Sequence, residues 1–226
     1  MGLLIRRATP SDAPTMATIN IEAFRGAPFI SNAFPNIPDE IVHPLKQRRY
    51  LKKMAHPLTH VIVAEDEESG EVVGCSRWVI PSDEAGKSAK ELLSAATAGE
   101  KGDGAEVQLE LPEGTNLEIY EGFFVTLKEK ADEYLQTDDV VLEFLATAPE
   151  HQGKGIGKAL VRWGTDQADQ QQRRIYVEAT EQGLPVYAKS GWNSFETLRL
   201  DYRRWGGEGG QELTIMIRDP ILSSFN

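Results

Sequence analysis

Ala146–Trp163, ATAPEHQGKGIGKALVRW, decides how this chain is read. An apolar run, DVVLEFLAT from Asp139 to Thr147, leads into it, and a helical pattern leads out. The spacing predicts a strand, a glycine-rich turn and a helix start in succession. The first amides of a helix have no acceptor within it, and the peptide dipoles add partial positive charge there. Such a corner suits an anion, above all a phosphate. Gly153, Gly155 and Gly157 let the backbone approach a ligand closely and take positive φ where the turn needs it.

Three glycine patterns compete for the turn. A Walker A loop requires a glycine five residues before a Gly-Lys-Ser/Thr triplet, whose hydroxyl holds magnesium. Here Gln152 stands at the first position and Ala159 follows Gly157-Lys158, so that pattern fails twice. A dinucleotide fingerprint, G-x-G-x-x-G, would need its third glycine at Lys158 or Leu160 and fails as well. The third pattern, Gln/Arg-x-x-Gly-x-Gly/Ala, is met by Gln152, Gly155 and Gly157, with Pro149 ahead of it.

In this form, QGKGIG after a strand, the segment resembles the acetyl-CoA-binding motif of the GNAT acyltransferase superfamily. A second block agrees: Val186–Trp192, VYAKSGW, resembles the family's Tyr-x-x-x-Gly-Phe segment, with Trp192 in place of phenylalanine. Leu3–Thr9, followed by Asp12 and a helical pattern, is similar to the family's first strand and helix. The likeness extends over roughly residues 3–80 and 117–218. The variant, with LATAPEHQGKGIG and LPVYAKSGW, looks most like small fungal-type members. The resemblance implies an α/β GNAT fold, a mixed central sheet of about seven strands flanked by helices, formed as one domain over residues 1–226.

The resemblance also implies direct transfer of an acetyl group from acetyl-CoA to an amine. Coenzyme contacts fall by this likeness on Leu145, Ala146, Thr147, Gln152, Gly153, Lys154, Gly155, Ile156, Gly157 and Lys158. The diphosphate meets the turn amides, and the strand end pairs with pantetheine and offers an N–H to the thioester oxygen. Tyr187 takes the family's position for the acid that protonates the departing thiolate. Deprotonating a lysine-like amine of pKa about 10.4 at pH 7 costs roughly 4–5 kcal/mol, so a base is required. Glu143, two residues before Leu145 on the strand and therefore expected on the same face, is the first candidate. Glu178, at the end of the following strand, is the second. A non-catalytic acyl-CoA sensor on the same fold is the alternative reading; amine-dependent thiol release separates the two.

With 226 residues the chain can bury a substantial core, and its net charge of −11 argues against a general nucleic-acid binder. The local balance is different: residues 151–174 hold five cations (Lys154, Lys158, Arg162, Arg173, Arg174) against Asp166 and Asp169, a net of +3. Arg173 and Arg174 read as solvated helix charges. Cys75 is the only cysteine, placed in a strand and expected to be buried and inert. No signal peptide or membrane-length apolar run is read, which points to a cytoplasmic protein. His43, His56, His60 and His151 form no metal signature, so no metal is expected, and nothing resembles a Ser-His-Asp constellation. Oligomeric state has no signature in these residues.

Along the chain, a strand over 3–8 precedes a helix from Asp12 to about Phe24, with Ser11 as its cap. Prolines 28, 35, 38 and 44 make 25–44 an irregular loop with at most a short helical turn, and 45–55 a helix. A hairpin follows, His60–Glu65 and Glu71–Ile80. Residues 82–115 read as a mobile insertion with a short helix at Ala89–Ala96. Asn116 caps a helix whose apolar stripe is Leu117, Tyr120, Phe124, Leu127, Ala131 and Tyr134. Two final strands, 192–202 and 211–217, close the sequence. By the resemblance, Arg25–Pro44 and Leu200–Gln211 line the acceptor side. Phe29, Phe34, Tyr202 and Trp205 there suggest a small cationic or aromatic amine, with a peptide or protein amine as a further option.

Overall fold

A computed structural model describes residues 2–82 and 111–221. Seven strands form one sheet in the order β1-β2-β3-β4-β5-β7-β6, with β1 Leu3–Arg7, β2 Thr59–Asp66, β3 Val72–Val79, β4 Val140–Thr147, β5 Ile175–Thr180, β6 Asn193–Asp201 and β7 Gly210–Arg218. Every neighbouring pair is antiparallel except β4 and β5. The helices are α1 Ala13–Ala23, α2 Pro28–Ala33, α3 Asp39–Ala55, α4 Leu117–Tyr134, α5 Ile156–Gln170 and α6 Leu184–Ala188.

Strand alternation divides the core between two faces. Ile62, Ala64, Trp78, Leu142 and Val177 pack with Ile156 and Leu160 of α5 and Tyr187 of α6. On the other face Val61, Val63 and Cys75 pack with Met16 and Ile19 of α1 and Tyr50 of α3. Ala131 of α4 joins Val79, Val141, Tyr176 and Ile215 on that same face. Gly164 sets how closely α5 can lie on the sheet. A Cβ there would stand 2.2 Å from the ring of the fully buried Trp78.

Local details differ from the sequence reading. Thr9, not Ser11, opens the first helical turn: its N–H and hydroxyl both donate to Asp12 (2.7 and 2.9 Å), which also accepts a fork from Arg6. The proline-rich stretch holds a full α2, and α3 begins at Asp39 and carries Pro44 inside it. Pro44 sits only six positions into α3, and its burial-bearing neighbours Val42 and Leu45 hold that turn against the core. Asn116 does cap α4, accepting from the Ile119 N–H at 3.2 Å. The buried stripe of α4 is nevertheless Ile119, Phe123, Leu127 and Ala131, while Leu117 is exposed. Apolar residues nearly encircle this helix, so periodicity alone did not choose its inward side. The helix read at Ala89–Ala96, and most of the insertion around it, lie outside the described residues.

Candidate active site

The turn is built as its glycines require. Gly153 and Gly155 take φ of 76° and 85°, and nothing stands within 4 Å of where a Cβ would sit at either. Gly155 is the N-cap of α5 without side-chain capping, and the first helical bond is Ala159 N–H to the Gly155 carbonyl. Among the described residues, the amides from Gly153 to Lys158 have no backbone acceptor. Lys154 and Lys158 are exposed beside them. Gly157 faces the strand end: its Cβ would lie 3.9 Å from Leu145 Cδ2 and Thr147 Oγ1. Gln152 turns back, its amide donating to the Thr147 carbonyl at 3.3 Å.

Next to this turn the sheet splits. β4 and β5 pair only at Val140↔Ile175 and Val141↔Tyr176, although both strands run several residues further. β3 stays paired with β4 to Thr147, and β7 with β5 to Thr180. Beyond Val141, therefore, the edge of β4 that faces β5 has no strand beside it. The wedge between them leads from the turn toward the middle of the sheet.

Glu143 does not share a face with Leu145. The pairing shifts so that Trp78 opposes Leu142 and Arg77 opposes Phe144, leaving Glu143 as the extra residue of a β-bulge. Leu145 packs on the α5 side. Glu143 instead reaches the α3 side, accepting from Arg77 Nε (2.6 Å) and Lys53 Nζ (2.8 and 3.0 Å). Burial would raise its pKa, but Arg77 and Lys53 overcome that and hold it down to about 2. The strict alternation expected from sequence fails here because a bulge consumes one residue without changing face.

Glu178 lies on the same side of the sheet, on β5, and accepts from the Tyr176 hydroxyl at 2.9 Å. Burial, together with the charge of Glu143, raises it to about 7 against the opposing Tyr176 hydrogen bond. Tyr187 packs beside Trp192, ring centroids 5.7 Å apart, and its hydroxyl has no hydrogen-bond partner among the described residues. Burial pushes this phenol up, so it stays protonated as a donor. The structure thus sets Glu143 and Glu178 on one face and Tyr187 on the other, with the wedge between.

Other expectations change with the structure. Arg174 is not a solvated charge: it forks onto the buried Asp139 (2.7 and 3.0 Å), and Arg173 donates to the Pro81 carbonyl. The positive charge near the turn is accordingly that of Lys154 and Lys158. Phe29 stacks on Phe123 at 4.0 Å and Tyr202 is wholly buried, so both are chiefly core. Cys75 is buried and its thiol pushed up to about 12 by burial. Sequence reasoning missed Lys46, Arg49 and Lys53 of α3, whose spacings of three and four were visible as one helical side. Among the described residues no His, Cys, Asp and Glu cluster could hold a metal, and no helix is long and apolar enough to cross a membrane.

Residues 115–194, which contain β4, the turn, α5, β5 and α6, match the family model of the acetyltransferase (GNAT) domain. Among curated protein sequences none matches this chain significantly. The chain is similar in structure to a histone acetyltransferase HPA2-related acetyltransferase from Corynebacterium glutamicum (TM-score 0.61, 22% identity, covering 100% of both chains). It is also similar to arylalkylamine N-acetyltransferase 2 from Aedes aegypti (TM-score 0.65, 16% identity, covering 97% of this chain and 99% of that one). Polyamine N-acetyltransferase from Drosophila melanogaster is a third (TM-score 0.64, 12% identity, covering 96% and 100%). The fold is that of the GNAT acyltransferases.

Proposed function

We propose that this protein is an acetyl-CoA-dependent N-acetyltransferase that moves the acetyl group directly to a primary amine of a small molecule or peptide. The observation that carries this reading is the wedge between β4 and β5, which opens beside an uncapped, glycine-lined helix start. The amides of Gly153–Lys158, with Lys154 and Lys158, suit the coenzyme's diphosphate. The strand end Leu145–Thr147 offers an unpaired backbone edge to the extended pantetheine arm, in the manner of an added strand. When bound, acetyl-CoA supplies the activated acyl group; the residues around the wedge supply the rest.

Glu178 is the base in this reading, ahead of Glu143. With a pKa of about 7 it is largely ionised at slightly alkaline pH, yet still basic enough to take a proton. Glu143, already neutralised by Arg77 and Lys53, fixes the bulge and its charge keeps Glu178 basic. Glu178 takes the proton that must leave the alkylammonium before its nitrogen attacks. A backbone N–H near Leu145–Thr147 meets the negative charge that grows on the thioester oxygen. The N–C bond forms and the C–S bond breaks as Tyr187 gives its phenolic proton to sulfur. The second nitrogen proton replaces the one Tyr187 gave, and Glu178 releases its own to water. The products are an amide, a free thiol and one proton.

A thiol-release assay with acetyl-CoA across small amines and peptides tests this reading. The expected result is free thiol that appears only when a suitable amine is present. Acetyl-CoA binding without thiol release for any amine would favour an acyl-CoA sensor instead.

A further inference from the structure

Helix α3 carries cations along one side, where Lys46, Arg49 and Lys53 recur at spacings of three and four. Lys53 is bound to Glu143 at 2.8 Å, and Arg49 donates to the Tyr120 hydroxyl. Lys46 has no hydrogen bond or ion pair with any described residue, although it is only partly exposed. Burial, with the charges of Arg49 and Arg77, pulls its pKa down to about 7. An ammonium in this state gains from any anion brought beside it.

Lys46 lines a cavity of about 80 Å³ whose walls include Phe24, Ile30, Phe34, Ile37 and Val42. That is room for about two or three waters, in walls where Asn20 is the uncharged polar side chain. The other charges on the cavity, Arg25 and Asp39, already neutralise each other at 2.7 Å. A cationic acceptor would therefore find no open carboxylate here, whereas an anionic one finds Lys46. One wall of the cavity also reaches β4: Phe24 meets the ring of Phe144 (centroids 5.5 Å apart), the residue that follows Glu143.

We propose that this cavity receives one end of the acceptor, and that the acceptor is a hydrophobic amine that also bears a carboxylate, the acid and its adjoining carbons entering the cavity to pair with Lys46. The inference deepens the transferase reading and rests on it for the fate of the amine. It also turns the sequence expectation of a cationic amine toward amino-acid-like molecules.

Calorimetry on the full chain tests it with two probes that differ only in the carboxylate, leucine and 3-methylbutylamine. Leucine is expected to bind tighter, by on the order of 10- to 100-fold, the usual worth of a hydrogen-bonded charge pair. Lys46→Met should abolish that preference and Lys46→Arg should keep it. The proposal is overturned if the two probes bind alike, if neither binds, or if the preference survives Lys46→Met. A separate titration of the same sample with acetyl-CoA reports on the transferase reading alone. Loss of that heat with the leucine preference intact would count against transfer and not against the pocket.

Discussion

At the scale of single residues the two carboxylates are divided by their neighbours. Glu143 and Glu178 face the same side of the sheet, yet one is held at about pKa 2 and the other at about 7. Among the described residues, two cations bond to the first and a phenol to the second. The rate should therefore rise as pH climbs through about 7, where Glu178 ionises, and Glu178→Gln should remove that rise with a loss of about 100-fold or more in kcat. Glu143→Gln should act differently. It leaves Arg77 and Lys53 without their anion and should cost about 3 kcal/mol of stability by denaturant titration. Its folded pKa is depressed, so its contribution is full above the ordinary value of 4.5 and fades as pH falls toward 2. Removing its charge should also let Glu178 ionise earlier, moving the rising limb to lower pH. A Glu143→Gln variant that keeps its stability and loses the pH limb would reverse the two roles.

At the scale of elements, what could be read from sequence was what local rules govern. The turn at Gln152–Gly157 and the Asn116 cap follow from backbone sterics and nearby hydrogen bonds, and both were legible. The bulge at Glu143 and the parting of β4 from β5 were not, because both depend on partners far along the chain. Pro44 was read as a helix boundary, yet α3 carries it, since packing of its neighbours outweighs the lost hydrogen bond. Close packing of elements makes its own prediction at Gly164, where α5 crosses Trp78. Gly164→Ala places a methyl 2.2 Å from the indole and should destabilise the fold by about 1–3 kcal/mol, despite alanine's better helix propensity. A melting temperature that rises in this variant would show that α5 does not lie so close.

At the scale of the whole molecule, the sheet divides the labour. One face carries α5, α6 and Tyr187, and the other carries α1, α3, α4, the two carboxylates and the Lys46 cavity. A net charge of −11 spread over the chain leaves Lys154 and Lys158 as a small positive site beside the turn. The glycine turn was legible because one short motif encodes it. The proposed acceptor cavity was legible only in part: Arg25–Pro44 was expected to line it, whereas the shares of α1 and of Lys46 on α3 emerge only once the fold assembles them. In the proposed function the amides after Gln152 hold the diphosphate and direct the thioester into the wedge. Calorimetric titration of the folded chain and of Gly157→Val with acetyl-CoA tests this most directly. Gly157 has no positive φ, so valine is tolerated by the helix start, but its side chain enters the gap before Leu145 and Thr147. One-to-one binding to the unaltered chain is expected, with a loss of about tenfold or more in the variant. No heat with the unaltered chain, or equal affinity in both, would contradict it.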